Sequence, residues 1–354
     1  MSSTAGRHTG SVTPKAVAYG VLLNSRFLVF FMLTWAIAIR TTRLERRWPK
    51  LLLWPAVIVV LFGLAQVFLL PPDVLRHFGY GKDTIGPVAT INHNAHFERY
   101  MSTLRGANPL GAYLLLPISA LTVLLLRYPR SWNWTKGLLL AGCLALLLFS
   151  FSRGAWIGAV LSIATAVVIV CGNTVWQRYR RWLFAGLVVV GVLLAGTALA
   201  LQHDTAFQNF VFHTQDNSAV KTTSNGAHLT ALVDGSKDIV SSPLGHGPGS
   251  AGPASVYNNH SRIAENYYLQ IGQETGVLGL ALFVAIVGIV GYLLWTRRHT
   301  PLALALLAAL IGISFVNLLS HAWTDDTLAY IWWGLAGLAI GTPVETFEND
   351  APAN

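Results

Sequence analysis

Charge is scarce in this chain. Only 11% of its 354 residues are Asp, Glu, Lys or Arg, less than half the roughly 25% of an ordinary soluble domain. So few ions cannot solvate a globular surface of this size. The 53% of hydrophobic residues instead gather into runs approaching the roughly 20 residues that a spanning helix needs. Cysteine is nearly absent. Cys143 and Cys171 both lie in apolar runs, which excludes a disulfide framework and a thiolate metal site. No Asp-Xxx-Asp occurs, which disfavours a sugar-nucleotide enzyme that needs a divalent metal. His203, His213, His228, His246 and His260 share one polar region but lack a His-Glu-Xxx-Xxx-His spacing. No metal and no cofactor are expected. The first 15 residues lack the charged, apolar and small-residue pattern of a signal peptide. Internal repeats, heptads and low-complexity tracts are missing as well.

Basic residues outnumber acidic ones by 24 to 15, for a net charge of +9. The excess sits in short loops between apolar runs, not interleaved with aromatics on a polar domain, so a nucleic-acid partner is not expected. Nine apolar segments are expected to span: 16–38, 51–70, 109–126, 137–151, 155–171, 183–201, 277–295, 302–319 and 328–341. The loops 40–50, 127–136, 176–182 and 297–298 carry five, three, three and two cations. The positive-inside rule puts all four in the cytoplasm. That assignment is self-consistent and leaves the N-terminus outside, so either the chain is shortened relative to longer relatives or segment 16–38 does not span. The nearly unbroken apolar run 137–171 is far too long for one crossing at about 1.5 Å per residue. It must turn near residues 149–156, which places Arg153 at the tip of an outer hairpin.

The resulting organisation is an all-α polytopic membrane protein of about nine transmembrane helices. An N-terminal tail (1–15) precedes a six-span bundle (16–201). A large outer loop (202–265) separates it from a three-span bundle (266–341), and a polar tail follows (342–354). Residues 230–240 read as an amphipathic helix lying on the membrane.

Residues 245–279 draw most attention, because a loop rich in Gly, Pro and Ser leads there into an apolar helix. On a helix, Gly272 and Gly276 fall within about 20° of Glu265 and Gly279 within about 40°. That face either admits another helix or a lipid chain, or serves ordinary small-residue packing with Glu265 favoured by the helix dipole. Arg153 either snorkels to water or grips phosphate with its planar fork. Arg99 and Arg105 lie on the same side and either join it or remain solvated loop charges. Arg26 falls inside an apolar segment, where a charge is costly and its role open. The run 245–250 is a loop or a backbone nest for phosphate oxygens. The pair Asp325–Asp326 reads as a helix boundary more than a metal seat.

Four stretches together resemble the bacterial O-antigen ligase and polymerase superfamily. That family's signature is His, then Asn, Ser or Gln, nine residues, Gly, two residues and a small residue. Here Glu265 and Asn266 are followed by nine residues, then Gly276, Val277, Leu278 and Gly279, so Glu265 stands where the family has His. Ser152–Arg153–Gly154 resembles the family's Ser-Arg-Gly hairpin. Arg99, Thr103 and Asn108–Pro109–Leu110–Gly111 resemble its Arg…Thr…Asn-Xxx-Leu-Gly segment. Residues 243–250 resemble its Pro-Leu-Xxx-Gly-Xxx-Gly-Pro-Gly loop.

The resemblance implies a GT-C-like glycosyltransferase of a bacterial cytoplasmic membrane, its active site facing outside. Such an enzyme moves a glycan from undecaprenyl diphosphate to the hydroxyl of a lipid, protein or polymer acceptor, inverting the anomeric centre without a metal. It implies Arg153, Arg99 and Arg105 on the donor diphosphate and Glu265 as the base, with His260 or His246 as substitutes. Asn266, His246, Arg262 and His228 would belong to the acceptor side, His228 being the nearest match to an arginine that opens the family's loop helix. The related polymerase, a transporter, or a non-catalytic binder of lipid-linked sugars are the alternatives.

Overall fold

The computed structural model describes residues 12–81, 83–91, 94–131, 133–172, 224–258 and 266–343. Helices start where the sequence supplies a cap and stop at basic or Ser/Gly-rich turns. Helix α1 (Pro14–Arg40) opens on Thr13, whose hydroxyl accepts from the amide of Ala16 at 3.2 Å, with proline in its first turn. A short helix α2 (Arg43–Arg46) turns the basic loop into α3 (Trp48–Phe68). Between α3 and α4 (Ala107–Arg127) stands a small antiparallel hairpin, β1 (Ala89–Ile91) and β2 (Asn94–Arg99), so this segment departs from the purely helical expectation. The remaining helices are α5 (Trp134–Phe149), α6 (Arg153–Gly172), α7 (Ser224–Ser241), α8 (Tyr267–Thr296), α9 (Pro301–Leu319) and α10 (Asp326–Gly341).

Among the described residues, α1, α3, α4, α6, α8 and α9 are long and apolar enough to cross a membrane. Helices α5 and α10, at 16 residues each, are shorter. Eight of the nine expected spans coincide with helices. The expected span 183–201 and the basic loop 176–182 lie outside the described residues. The chain is thus a polytopic helical membrane protein.

Helices α4 and α9 form the centre and are buried over most of their length, whereas α1 and α8 leave large apolar side chains such as Leu28, Val29, Leu278 and Ile289 exposed, as lipid-facing helices do. Small residues set the closest approaches. On α10, Gly334 meets Phe30, and a Cβ at Gly337 or Gly341 would run into the backbone of α1 near Phe31 and Trp35. Gly111 of α4 lies where a Cβ would fall 2.7 Å from that of Ala155. Without a hydrophobic drive between helices in lipid, such close backbone contact is what holds them.

These contacts also orient the bundle. Arg127 donates to the carbonyls of His299 (2.7 Å) and Arg298 (2.9 Å), Arg297 donates to Ala339, and α2 packs on α10. The described basic loops therefore share one end. At the other end lie the start of α1, the β-hairpin, the α5–α6 turn, the loop before α8 and the α9–α10 turn.

Candidate active site

The turn between α5 and α6 is built by serines. Ser150 caps α5, its hydroxyl donating to Leu147 O at 2.6 Å and accepting from the amide of Ser152 at 3.2 Å. Phe151 takes a left-handed conformation (φ 51°), a strained choice for a bulky residue that lets α6 start immediately at Arg153. The sharp hairpin expected at residues 149–156 is therefore present.

Arg99, at the end of β2, reaches into this turn. Its Nε donates to Ser150 O at 3.1 Å and its guanidinium to Asn108 Oδ1 at 2.6 Å. The amide of Tyr100 donates to Phe149 O at 3.2 Å and locks the two segments together. The end of the hairpin at Arg99 and Tyr100 and the turn at 149–152 thus meet in space. Burial, and then the positive charge of Arg153, push the Arg99 guanidinium down to about 10. It stays protonated at neutral pH, but its charge is costly there, held by neutral oxygens beside a second cation. An incoming anion would relieve both costs.

Arg105 does not join this pair. Its Nε lies 3.3 Å from Asp325 Oδ2 and its guanidinium donates to Thr324 Oγ1 at 2.7 Å. Asp325 is 3% exposed and caps α10, accepting from the amide of Thr327 at 3.1 Å. Burial raises its carboxyl, and the Arg105 charge opposes that rise. The expected three-arginine cluster is thus two groups, because Arg105 finds a carboxylate first. Arg26, whose role was open, pairs with Asp326 and donates to Thr324 O at 3.0 Å, fixing α1 to the start of α10.

The loop before α8 corrects a second expectation. The helix begins at Tyr267, not Glu265, with Asn266 as its cap. The Asn266 side chain accepts from the amide of Leu269 at 3.1 Å and donates to Leu318 O at 2.9 Å. Such a cap contributes about 1 kcal/mol. Gly276 then breaks the helix (φ 72°, ψ −172°), and the loop inserts into the gap. The amides of His246 and Gly247 donate to Gln273 O (2.8 Å) and Glu274 O (2.9 Å), while Val277 donates to Pro243 O (2.9 Å). The orphaned backbone groups of the break are thus satisfied by the loop. A Cβ at Gly276 would collide with Pro243 and Leu244, and one at Gly272 would lie 2.5 Å from Ile239 of α7. Of the alternatives open for the glycine face, close packing by protein is what meets Gly272 and Gly276. The residues after the break, from Val277, match the expected span.

The glycine loop does form a nest, but its occupant is a side chain. Glu274, 2% exposed, accepts from Asn24 Nδ2 at 2.8 Å, from the amides of Gly249 and Ala251, and from Gln270. Nothing in local spacing flagged this carboxylate, because its partners lie on α1 and in the loop. His246 points to α7, its Nε2 2.9 Å from Asp238 Oδ1, and Asp238 Oδ2 accepts from Gln273 at 3.1 Å.

Glu265, His260 and Arg262 lie outside the described residues. His228 belongs to α7, its side chain outside them too. Asn266, next to Glu265 in sequence, binds Leu318 O, and Gly154, next to Arg153, packs on Leu319. Asn266 and Arg153 thus flank the same end of α9, opposite the basic loops.

A model of the O-antigen ligase family matches residues 138–284. The matched stretch contains the Ser-Arg-Gly turn, the glycine loop and the broken start of α8, whereas Arg99, Arg105 and Asn108 precede it. No curated protein matches the chain. The turn, the loop and the broken helix that this match covers support membership of the O-antigen ligase and polymerase superfamily.

Proposed function

We propose that the protein is an O-antigen ligase-like membrane glycosyltransferase. It takes a glycan from undecaprenyl diphosphate and moves it to an acceptor hydroxyl on the outer side, opposite the basic loops. The observation that carries this reading is the guanidinium of Arg99, half-buried on neutral oxygens in the field of Arg153, beside a stretch that matches the O-antigen ligase family. Arg99 and Arg153 hold the diphosphate and stabilise its charge as the glycosidic bond breaks. Undecaprenyl diphosphate leaves with the bonding electron pair, so no general acid is needed. The acceptor oxygen attacks the anomeric carbon from the opposite face, which inverts it, and its proton passes to Glu265.

Glu265 stands at the family's His position and has a reference pKa about two units below that of histidine. Burial in the donor complex would raise it towards the working range; His260 is the substitute. Arg105, neutralised by Asp325, holds the loop between β2 and α4 in place.

The test is transfer of a labelled glycan from undecaprenyl diphosphate by protein reconstituted in lipid. Glu265→Ala is expected to lower kcat by roughly 10²–10⁴-fold, and Arg153→Ala by roughly 10²–10³-fold. Transfer that survives both substitutions overturns the mechanism.

A further inference from the structure

Asn108 stands where folding by itself would favour an aspartate. It lies in the first turn of α4, a turn with no acidic residue and with no side-chain hydrogen bond at its cap, Gly106. A carboxylate there would be favoured by the helix dipole. It would also pair with Arg99, whose guanidinium already donates to Asn108 Oδ1 at 2.6 Å. Asn108 is half-buried, so a carboxylate in its place would keep part of its hydration. The start of α10 shows the other choice. Asp325 caps that helix, and Arg105 and Arg26 are met by Asp325 and Asp326. At position 108 the acceptor has the same reach and no charge.

The place is also rigid. A Cβ at Gly111, one turn on from Asn108, would lie 2.7 Å from that of Ala155 and 2.8 Å from that of Ser152, so the start of α4 is seated on the start of α6. Arg99 itself ends a two-stranded hairpin. Its hydrogen bonds tie it to α4 through Asn108 and to the α5–α6 turn through Ser150 O. We propose that Asn108 is a positioning residue for the donor. Its amide oxygen fixes the Arg99 guanidinium against α4 and, being neutral, leaves the charge of Arg99 for the diphosphate. This deepens the donor reading above and rests on it. An aspartate would strengthen the fold and weaken the site, an opposition common where a charge is kept for a ligand.

The test measures the Kd for undecaprenyl diphosphate and the melting temperature of the full-length protein in lipid nanodiscs. Asn108→Leu loses the acceptor; it should weaken binding a few-fold and lower the melting temperature slightly. Asn108→Asp keeps the acceptor and adds a charge. It should weaken binding about tenfold or more, as one extra negative charge near the phosphate does, while its melting temperature matches or exceeds the wild type's. Affinity thus falls from wild type to Leu to Asp, whereas stability falls from Asp to wild type to Leu. A purely structural role would give one order for both. In an Arg99→Ala background, Asn108→Leu should change the Kd no further, because Asn108 acts through Arg99. Asn108→Asp that binds as well as wild type, or Asn108→Leu that weakens binding equally without Arg99, overturns the role of Asn108 and leaves the donor reading standing. If the wild type does not bind the lipid, the donor reading falls and this role with it.

Discussion

Two groups of arginines stand at the same end of the bundle and are treated in opposite ways. Arg26 and Arg105 each meet a carboxylate, Asp326 and Asp325, and share Thr324 between them. Among the described residues Arg99 hydrogen-bonds to the carbonyl of Ser150 and the amide oxygen of Asn108, both neutral, in the field of the Arg153 cation. The first group joins α1, α10 and the loop before α4, and each of its charges is met by a carboxylate. Arg99 keeps its charge at a half-buried position on neutral oxygens, which folding alone does not reward. Position near the membrane therefore does not mark a functional arginine; the charge of its partners does.

The contrast can be broken most sharply by Arg99→Ala. It should lower glycan transfer by roughly 10²–10³-fold, as for loss of one preorganised donor, with little change in melting temperature. Arg99→Lys should recover only part of that loss, since an ammonium cannot make the planar two-point contact. If Arg99→Ala unfolds the protein and leaves the remaining folded fraction fully active, the contrast is wrong.

Arg105→Ala should do the reverse. It strands the buried Asp325, and because Arg105 is partly exposed the loss should be about 1–3 kcal/mol, below the range for a fully buried pair. This is readable as a lower melting temperature, with kcat of the folded enzyme within a few-fold of wild type. A smaller effect sharpens the point. Asp325→Asn keeps the cap of α10, so adding it to Arg105→Ala should recover about 1 kcal/mol, a coupling that a double-mutant cycle measures.

Acidity separates the groups as well. Arg99 is protonated below about 10 and loses its charge above it. A bound diphosphate holds the proton more tightly, so affinity should fall about tenfold per pH unit once pH passes that value. Arg99→Ala should remove this dependence. For Asp325 the sign is opposite in origin. Burial raises its folded carboxyl, so protonation favours the fold, and that contribution is lost as pH rises through the raised value. Asp325→Asn should flatten this slight acid-side slope in melting temperature.

Much of the framework was legible in residue order. The run 137–171 was too long to cross once, so it had to turn at Ser152 and Arg153, and it does. Asp325 was readable as a helix start because a short carboxylate before an apolar run is a cap. Arg99 and Arg153, by contrast, are 54 positions apart and come into each other's field because Arg99 and Tyr100 hydrogen-bond to Ser150 and Phe149. Gly276 looked like one more small residue on a continuous face. Its left-handed φ emerges only once the loop at 243–247 occupies the break.

Composition and the spacing of apolar runs thus determined by themselves that this chain lies in a membrane, where its helices turn and which end carries the basic loops. Those properties follow from the cost of placing backbone and charge in lipid, a cost that each segment meets alone. The tertiary structure alone decided which arginines are neutralised and which are kept charged, and what fills the glycine loop. A charge's worth depends on its nearest neighbours in space, and here those neighbours come from other helices.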